Sequence, residues 1–188
     1  LNTKNILVTF HPVTLERQSS KKQFQEIIYT IDELKDTNII FSKTNSDIDG
    51  KIINKMIEEY TSKNSKKSIA IASLGQLNYL SALKHVDFII GNSSSGLLEA
   101  PSFKIGTINI GDRQKGRLQA DSIINCLPEK VSIRESIKKI YSSNFKEILK
   151  NVKNPYGDEC ASKKIIEVLK NTPLNEILKK SFFDIKFL

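Results

Sequence analysis

Apolar and polar positions follow two alternating periods along this chain, and the alternation cuts it into short strands and amphipathic helices. Asn5–Phe10 (Asn-Ile-Leu-Val-Thr-Phe) is an apolar run of the length of one buried strand. From Lys21 to Leu34, apolar residues fall at Phe24, Ile27, Ile28, Ile31 and Leu34, the spacing of a single helix face. Further strands are predicted at Asn38–Ser42, Ser68–Ala72, Asp87–Gly91, Thr107–Ile110 and Ser122–Cys126. Helical patterns separate them: Ile52–Tyr60, with Ile53, Met56, Ile57 and Tyr60 on one face, then Gln76–Leu83 and about Ser94–Pro101. Helices are also predicted at Ser132–Tyr141, Glu159–Leu169 and Leu174–Lys180, followed by an apolar end, Phe182–Leu188.

Strands that alternate with helices imply a parallel sheet covered on both faces. The expected class is therefore α/β, a Rossmann-like, doubly wound sheet of about six strands. In such a sheet a ligand sits outside the carboxyl ends of the strands, near the switch in strand order. The loops after the first five strands thus become the candidate site. They carry His11, Asn45, Leu74 with Gly75, Ser93 to Gly96, and Arg113 with Lys115 and Arg117.

The strongest signal is Gly91-Asn-Ser-Ser-Ser-Gly-Leu-Leu-Glu99. A strand ends, small hydroxyl residues follow, and a helix is predicted to begin. Free backbone N–H groups and the positive end of a helix dipole would meet there, which suits an anion. One serine could be a helix N-cap needing no ligand. Ser93, Ser94 and Ser95 together with Gly96 leave hydroxyls over, and phosphate is the favoured reading. Glu99 is a poor phosphate ligand and a good acceptor for a sugar diol, although a solvent-facing acid near a helix start would look the same. His11 follows the first strand and precedes Pro12, where it can be structural or can touch a phosphate oxygen.

Two of only four arginines fall in Gly111-Asp-Arg-Gln-Lys-Gly-Arg117. In a lysine-rich chain, arginine's planar fork points to phosphate, Arg113 ahead of Arg117. The plain alternative is an Asp112–Arg113 or Asp112–Arg117 pair that stiffens the loop. Asn45 and the Leu74–Tyr79 segment carry less, since loop asparagine is usually turn chemistry.

The 188 residues, 39% hydrophobic and 27% charged, fit a globular protein with a substantial core. The net charge of +8 suggests nucleic acid, but lysine supplies 25 of the 29 basic residues and is scattered over helix faces. With no arginine-rich arm and no aromatic platform, a solvated lysine surface is expected and nucleic acid is not. No apolar run approaches a membrane span, and no signal-peptide pattern opens the chain. Cys126 and Cys160 form neither a bridge framework nor a metal spacing, so the cytoplasm is the expected compartment. There is no Ser-His-Asp order, no metal-ligand cluster, no GxGxxG and no sign of a cofactor. The chain is expected to bind a substrate without carrying the whole reaction.

Three stretches in order, Thr9-Phe-His-Pro-Val-Thr14, Gly91–Pro101 and Thr107–Arg117, resemble the hydrolysing UDP-N-acetylglucosamine 2-epimerases of sialic acid synthesis. The related UDP-diacetylbacillosamine 2-epimerases of legionaminic acid synthesis fit about as well. The resemblance implies the C-terminal half of a two-domain glycosyltransferase-B type fold, with UDP held mainly by that half. It implies His11 on the diphosphate, Ser93, Ser94, Ser95 and Gly96 cradling it, and Glu99 on the ribose. Arg113 would face the phosphates and Asn45 would lie near the nucleotide. The family's acid and base residues for C2 proton abstraction and anti elimination of UDP belong to the other, N-terminal domain. Residues 1–170 would form the UDP-binding domain, and 171–188 a helix and tail packing back on the N-terminal domain. The oligomeric state, a homo-oligomer included, stays open. Two rival readings also stay open: the donor-binding half of a glycosyltransferase, and a nucleotide-binding module without catalysis.

Overall fold

A computed structural model describes residues 4–13, 19–44, 48–157, 160–175 and 178. Six strands form one parallel sheet: β1 (Lys4–Thr9), β2 (Thr37–Ser42), β3 (Ser68–Ile71), β4 (Phe88–Gly91), β5 (Gly106–Ile110) and β6 (Ile123–Cys126). The helices are α1 (Ser19–Asp32), α2 (Ile48–Lys63), α3 (Gly75–Leu83), α4 (Ser95–Leu98), α5 (Lys130–Ile140), α6 (Ser143–Asn151) and α7 (Ala161–Asn171). Strand order is β3-β2-β1-β4-β5-β6, the doubly wound arrangement, and the order reverses between β1 and β4. That reversal opens the crevice in which the His11 and serine loops meet.

Both faces of the sheet are covered, so its central strands are apolar throughout rather than alternating. Every residue of β4 and of β5 is buried. On one face Ile6, Val8, Phe41, Ile90 and Ile108 pack with Phe24, Ile27 and Ile31 of α1, Ile53 and Ile57 of α2, and Ile133 and Ile137 of α5. On the other face Leu7 and Ile89 pack with Leu83 of α3, Val86 and Ala100. Adjacent β1 residues thus point into opposite cores, as a pleated strand requires.

Two elements differ from the sequence reading. The helix expected over Ser94–Pro101 is a four-residue α4, followed by a 3₁₀ turn over Ala100–Phe103. Pro101 lacks the N–H that a longer α-helix would need, and Lys104 closes the turn in the left-handed region at φ 56°. Helix α6 was not expected. The Ser142 hydroxyl accepts from the Phe145 amide at 3.2 Å and starts a new helix immediately after α5, burying Phe145. The predicted last helix and apolar end fall outside the described residues, apart from Leu174, Asn175 and Leu178, none of which is helical.

The chain divides into two units, Leu1–Tyr156 with the sheet and Gly157–Leu188 with α7. No side chain of α7 is buried. Among the described residues, no helix is long and apolar enough to cross a membrane.

Candidate functional site

The first requirement of the crevice is that β1 and β4 end close together. Gly91 makes this possible: its φ is +144°, and a Cβ there would lie 1.9 Å from the Thr9 carbonyl oxygen. Asn92 then locks the two loops. Its Oδ1 accepts from the His11 amide at 2.7 Å, and its Nδ2 donates to the His11 carbonyl at 2.8 Å. This reciprocal pair satisfies a buried amide side chain and the backbone of a residue 81 positions away.

The serine turn follows immediately. The Tyr79 hydroxyl donates to Ser95 Oγ at 2.5 Å, and Ser93 Oγ lies 3.0 Å from Ser95 Oγ. Burial pushes the Tyr79 phenol up to about 12, the Ser95 bond lowers it and the Glu99 charge raises it, so Tyr79 remains a neutral donor. Ser94 stands at the start of α4, yet its side chain caps nothing. Among the described residues, the N–H groups of Ser93 and Ser94 have no acceptor. The simple N-cap explanation is therefore absent, and so is a long helix dipole, because α4 has only four residues. What the turn presents instead is two open amides and a row of hydroxyls.

A cavity of about 450 Å³ opens over these groups. His11, Ser93, Ser95 and Glu99 line it, together with Thr9, whose buried hydroxyl has no partner among the described residues. Leu74, just before α3, and Gly75, Gln76 and Tyr79 of α3 also line it. The Leu74–Tyr79 segment carried little weight in the sequence, and the fold brings it to the cavity. Glu99 sits between α4 and the 3₁₀ turn, and burial alone raises its carboxyl above the usual range.

His11 is oriented from behind. Its Nδ1 lies 2.8 Å from the Thr44 hydroxyl, and Asn54 of α2 holds Thr44 by two bonds, Oδ1 to the Thr44 amide and Nδ2 to its carbonyl. Nothing in the local sequence marks Thr44 or Asn54, because their importance comes from the contact of Thr44 with His11, 33 positions away. Asn45 lies outside the described residues.

Arg113 reaches the serine turn from β5. Its Nη1 donates to the Asn92 carbonyl at 3.0 Å, and the buried Gln114 donates to the same oxygen at 2.7 Å. Arg113 and the residue preceding Ser93 are thus in contact. Partial burial lowers the guanidinium pKa, and the Arg117 charge lowers it further. Among the described residues, Asp112 forms no ion pair, so the loop-stiffening pair considered above does not occur. Gly96 faces inward. A Cβ there would lie 2.5 Å from Thr107 Cγ2, and the Gly96 carbonyl accepts from the Thr107 hydroxyl, so packing against β5 demands the small residue.

The family model for UDP-N-acetylglucosamine 2-epimerase matches residues 1–170. The chain belongs to that family. It is 42% identical over 186 residues to the GDP/UDP-N,N'-diacetylbacillosamine 2-epimerase (hydrolyzing) of Campylobacter jejuni, covering 98% of this chain and 48% of that protein. It is 33% identical to the UDP-N,N'-diacetylbacillosamine 2-epimerase (hydrolyzing) of Legionella pneumophila, covering 94% of this chain and 45% of that protein. The chain thus spans about half the length of the curated relatives it matches. The solved UDP-GlcNAc 2-epimerase of Neisseria meningitidis superposes with a TM-score of 0.73 at 20% identity, over 91% of this chain and 46% of that one. As a member of this 2-epimerase family, the chain has the α/β architecture of half of a glycosyltransferase-B type fold. The family is the one named in the first of the readings left open above.

Proposed function

We propose that this chain is the UDP-binding C-terminal half of a hydrolysing UDP-N-acetylhexosamine 2-epimerase. The full enzyme would invert C2 of UDP-N-acetylglucosamine, or of UDP-N,N'-diacetylbacillosamine, and release UDP with the 2-epimeric sugar. The observation that carries the reading is the convergence of Ser93, Ser95, His11 and Glu99 on one cavity at the β1–β4 reversal. The identity to the Campylobacter relative, whose name gives a hydrolysing 2-epimerase acting on a GDP- or UDP-linked sugar, supports it.

In this reading the diphosphate lies on the Ser93 and Ser94 amides and the serine hydroxyls. His11 and Arg113 supply positive charge, Glu99 accepts from the ribose diol, and the β3–α3 loop faces the base. Asn45 stands near the nucleotide. When the C1–oxygen bond breaks, negative charge collects on the departing β-phosphate. Fixed donors aimed there lower that barrier without any reorganisation of solvent. The acid and base acting at C2 are assigned to the N-terminal domain, which residues 171–188 would rejoin, with residues 1–170 forming the nucleotide domain. Cytoplasmic location is part of the same proposal and agrees with two free cysteine thiols.

Calorimetric titration with UDP and ADP tests the reading. UDP saturates the site and ADP binds more weakly. Arg113→Ala and Glu99→Ala each cost about 1–3 kcal/mol of UDP affinity, the range for a charge-assisted hydrogen bond. Unchanged affinity in both variants overturns the assignment.

A further inference from the structure

Just after α6 the chain runs Val152-Lys-Asn-Pro-Tyr156, and two of its side chains reach back to the segments that carry Glu99 and Arg113. We infer that Asn154 and Tyr156 are positioning residues for nucleotide binding. Asn154 holds Glu99 for the ribose diol, and Tyr156 holds the loop that brings Arg113 to the diphosphate. The inference rests on the nucleotide reading proposed above.

The change from α4 to the 3₁₀ turn leaves one carbonyl without its helical donor. In a continuing α-helix the Leu98 oxygen would accept from the Ser102 amide, but that amide goes to the Glu99 carbonyl at 3.1 Å. Asn154 supplies the missing donor. Its Nδ2 donates to the Leu98 carbonyl at 2.8 Å and to Ser102 Oγ at 2.7 Å, so both amide hydrogens are used. These bonds bracket Glu99, one on the residue before it and one on the turn that follows. Among the described residues no hydrogen bond steadies the Glu99 carboxyl, and burial alone shifts it. Its aim therefore depends on the backbone that Asn154 grips.

The same segment reaches the arginine loop. Pro155 favours extended backbone at Asn154, and Asn154 Oδ1 accepts from the Tyr156 amide at 3.0 Å, closing a short turn. The Tyr156 ring is 42% exposed and adds little to any core. Its hydroxyl donates to the Leu118 carbonyl at 3.0 Å, a contact across 38 positions. Leu118 directly follows Arg117, while Arg113 and Gln114 bond the Asn92 carbonyl. The loop is thus fastened at the serine turn and again at its far end. Neither Asn154 nor Tyr156 lines the crevice cavity, so each acts through a neighbour. One short segment sets the acid assigned to the ribose and the cation assigned to the phosphates in place together.

The test is titration calorimetry with UDP and 2′,3′-dideoxy-UDP on the chain and on Asn154→Ala and Tyr156→Phe. The unaltered chain is expected to prefer UDP by roughly tenfold, as hydrogen bonds from a diol to a carboxylate provide. Asn154→Ala brings that preference down to about twofold by weakening UDP and not the dideoxy ligand, a ratio that lost stability alone does not move. Tyr156→Phe weakens both ligands roughly threefold and keeps the ratio, and in an Arg113→Ala background it has no further effect. A ratio preserved in Asn154→Ala, or affinities unchanged in Tyr156→Phe, overturns the inference while the nucleotide site stands. Equal binding of the two ligands by the unaltered chain removes the role of Glu99 and that of Asn154 with it. Failure of UDP itself to bind overturns the nucleotide reading, and this one with it.

Discussion

Asn92 joins the two halves of the site at the scale of a single residue. It lies between Gly91 and the serines, where a reader of the chain takes it for part of a polar turn. In the fold its side chain is spent entirely on the His11 backbone, and its carbonyl collects Arg113 and Gln114. Asn92→Leu keeps the approximate volume and removes both side-chain bonds to the His11 backbone. It should cost roughly 2–4 kcal/mol in urea unfolding, from two such bonds. Glu99 makes the opposite kind of contribution. Burial raises its carboxyl pKa in the fold, so the unliganded protein is penalised once pH exceeds the folded value, and not below the unfolded one. Glu99→Gln should therefore raise the unliganded melting temperature at neutral pH and leave it unchanged near about pH 3, where both forms are neutral. Calorimetric scans at the two pH values show the sign, and the same variant should bind UDP less tightly.

Among elements, the carboxyl ends of β1 and β4 are the most constrained. Two glycines with positive φ separate close approach from mere turn geometry. Gly91→Ala drives a methyl into the Thr9 carbonyl and should destabilise by at least about 3 kcal/mol. Gly75 opens α3 at φ +62° with nothing within 4 Å of its would-be Cβ, so Gly75→Ala should cost only about 1–2 kcal/mol. Denaturant titration of the two variants compares these costs directly. A short α4 also changes how the proposed anion site would work. The long-helix dipole expected from the pattern is replaced by two open amides and a hydroxyl row held by Tyr79 from the neighbouring α3. Where each serine would point could not be read locally, since Tyr79 lies 16 residues from Ser95.

For the molecule as a whole, the net charge is +8, and the ligand proposed for the crevice is an anion. Such a field accelerates encounter and is screened within roughly 10 Å at 0.1 M salt. UDP association rates in stopped-flow should fall as salt rises, while dissociation rates change little, because the contacts at the serines and Arg113 are partly buried. The lysines themselves pair locally at the surface, as in Lys43–Glu58 and Lys130–Glu33, where each bond adds little to stability.

Periodicity along the chain determined the six strands, most of the helices between them and the sheet's parallel, two-sided covering, because strand and helix faces are set by spacings of a few residues; it missed α6 and the short α4. It also placed His11, the serines, Glu99 and the arginine loop at strand ends, since connections in such a sheet have nowhere else to lie. Tertiary structure alone decided what those ends do to one another. The Asn92 clamp, the Asn54–Thr44 support behind His11, the inward turn of Gly96 and the grip of Asn154 on Leu98 all arise between residues far apart in sequence. Their geometry depends on which strands become neighbours, and no local pattern of polar and apolar residues encodes a distance across the sheet.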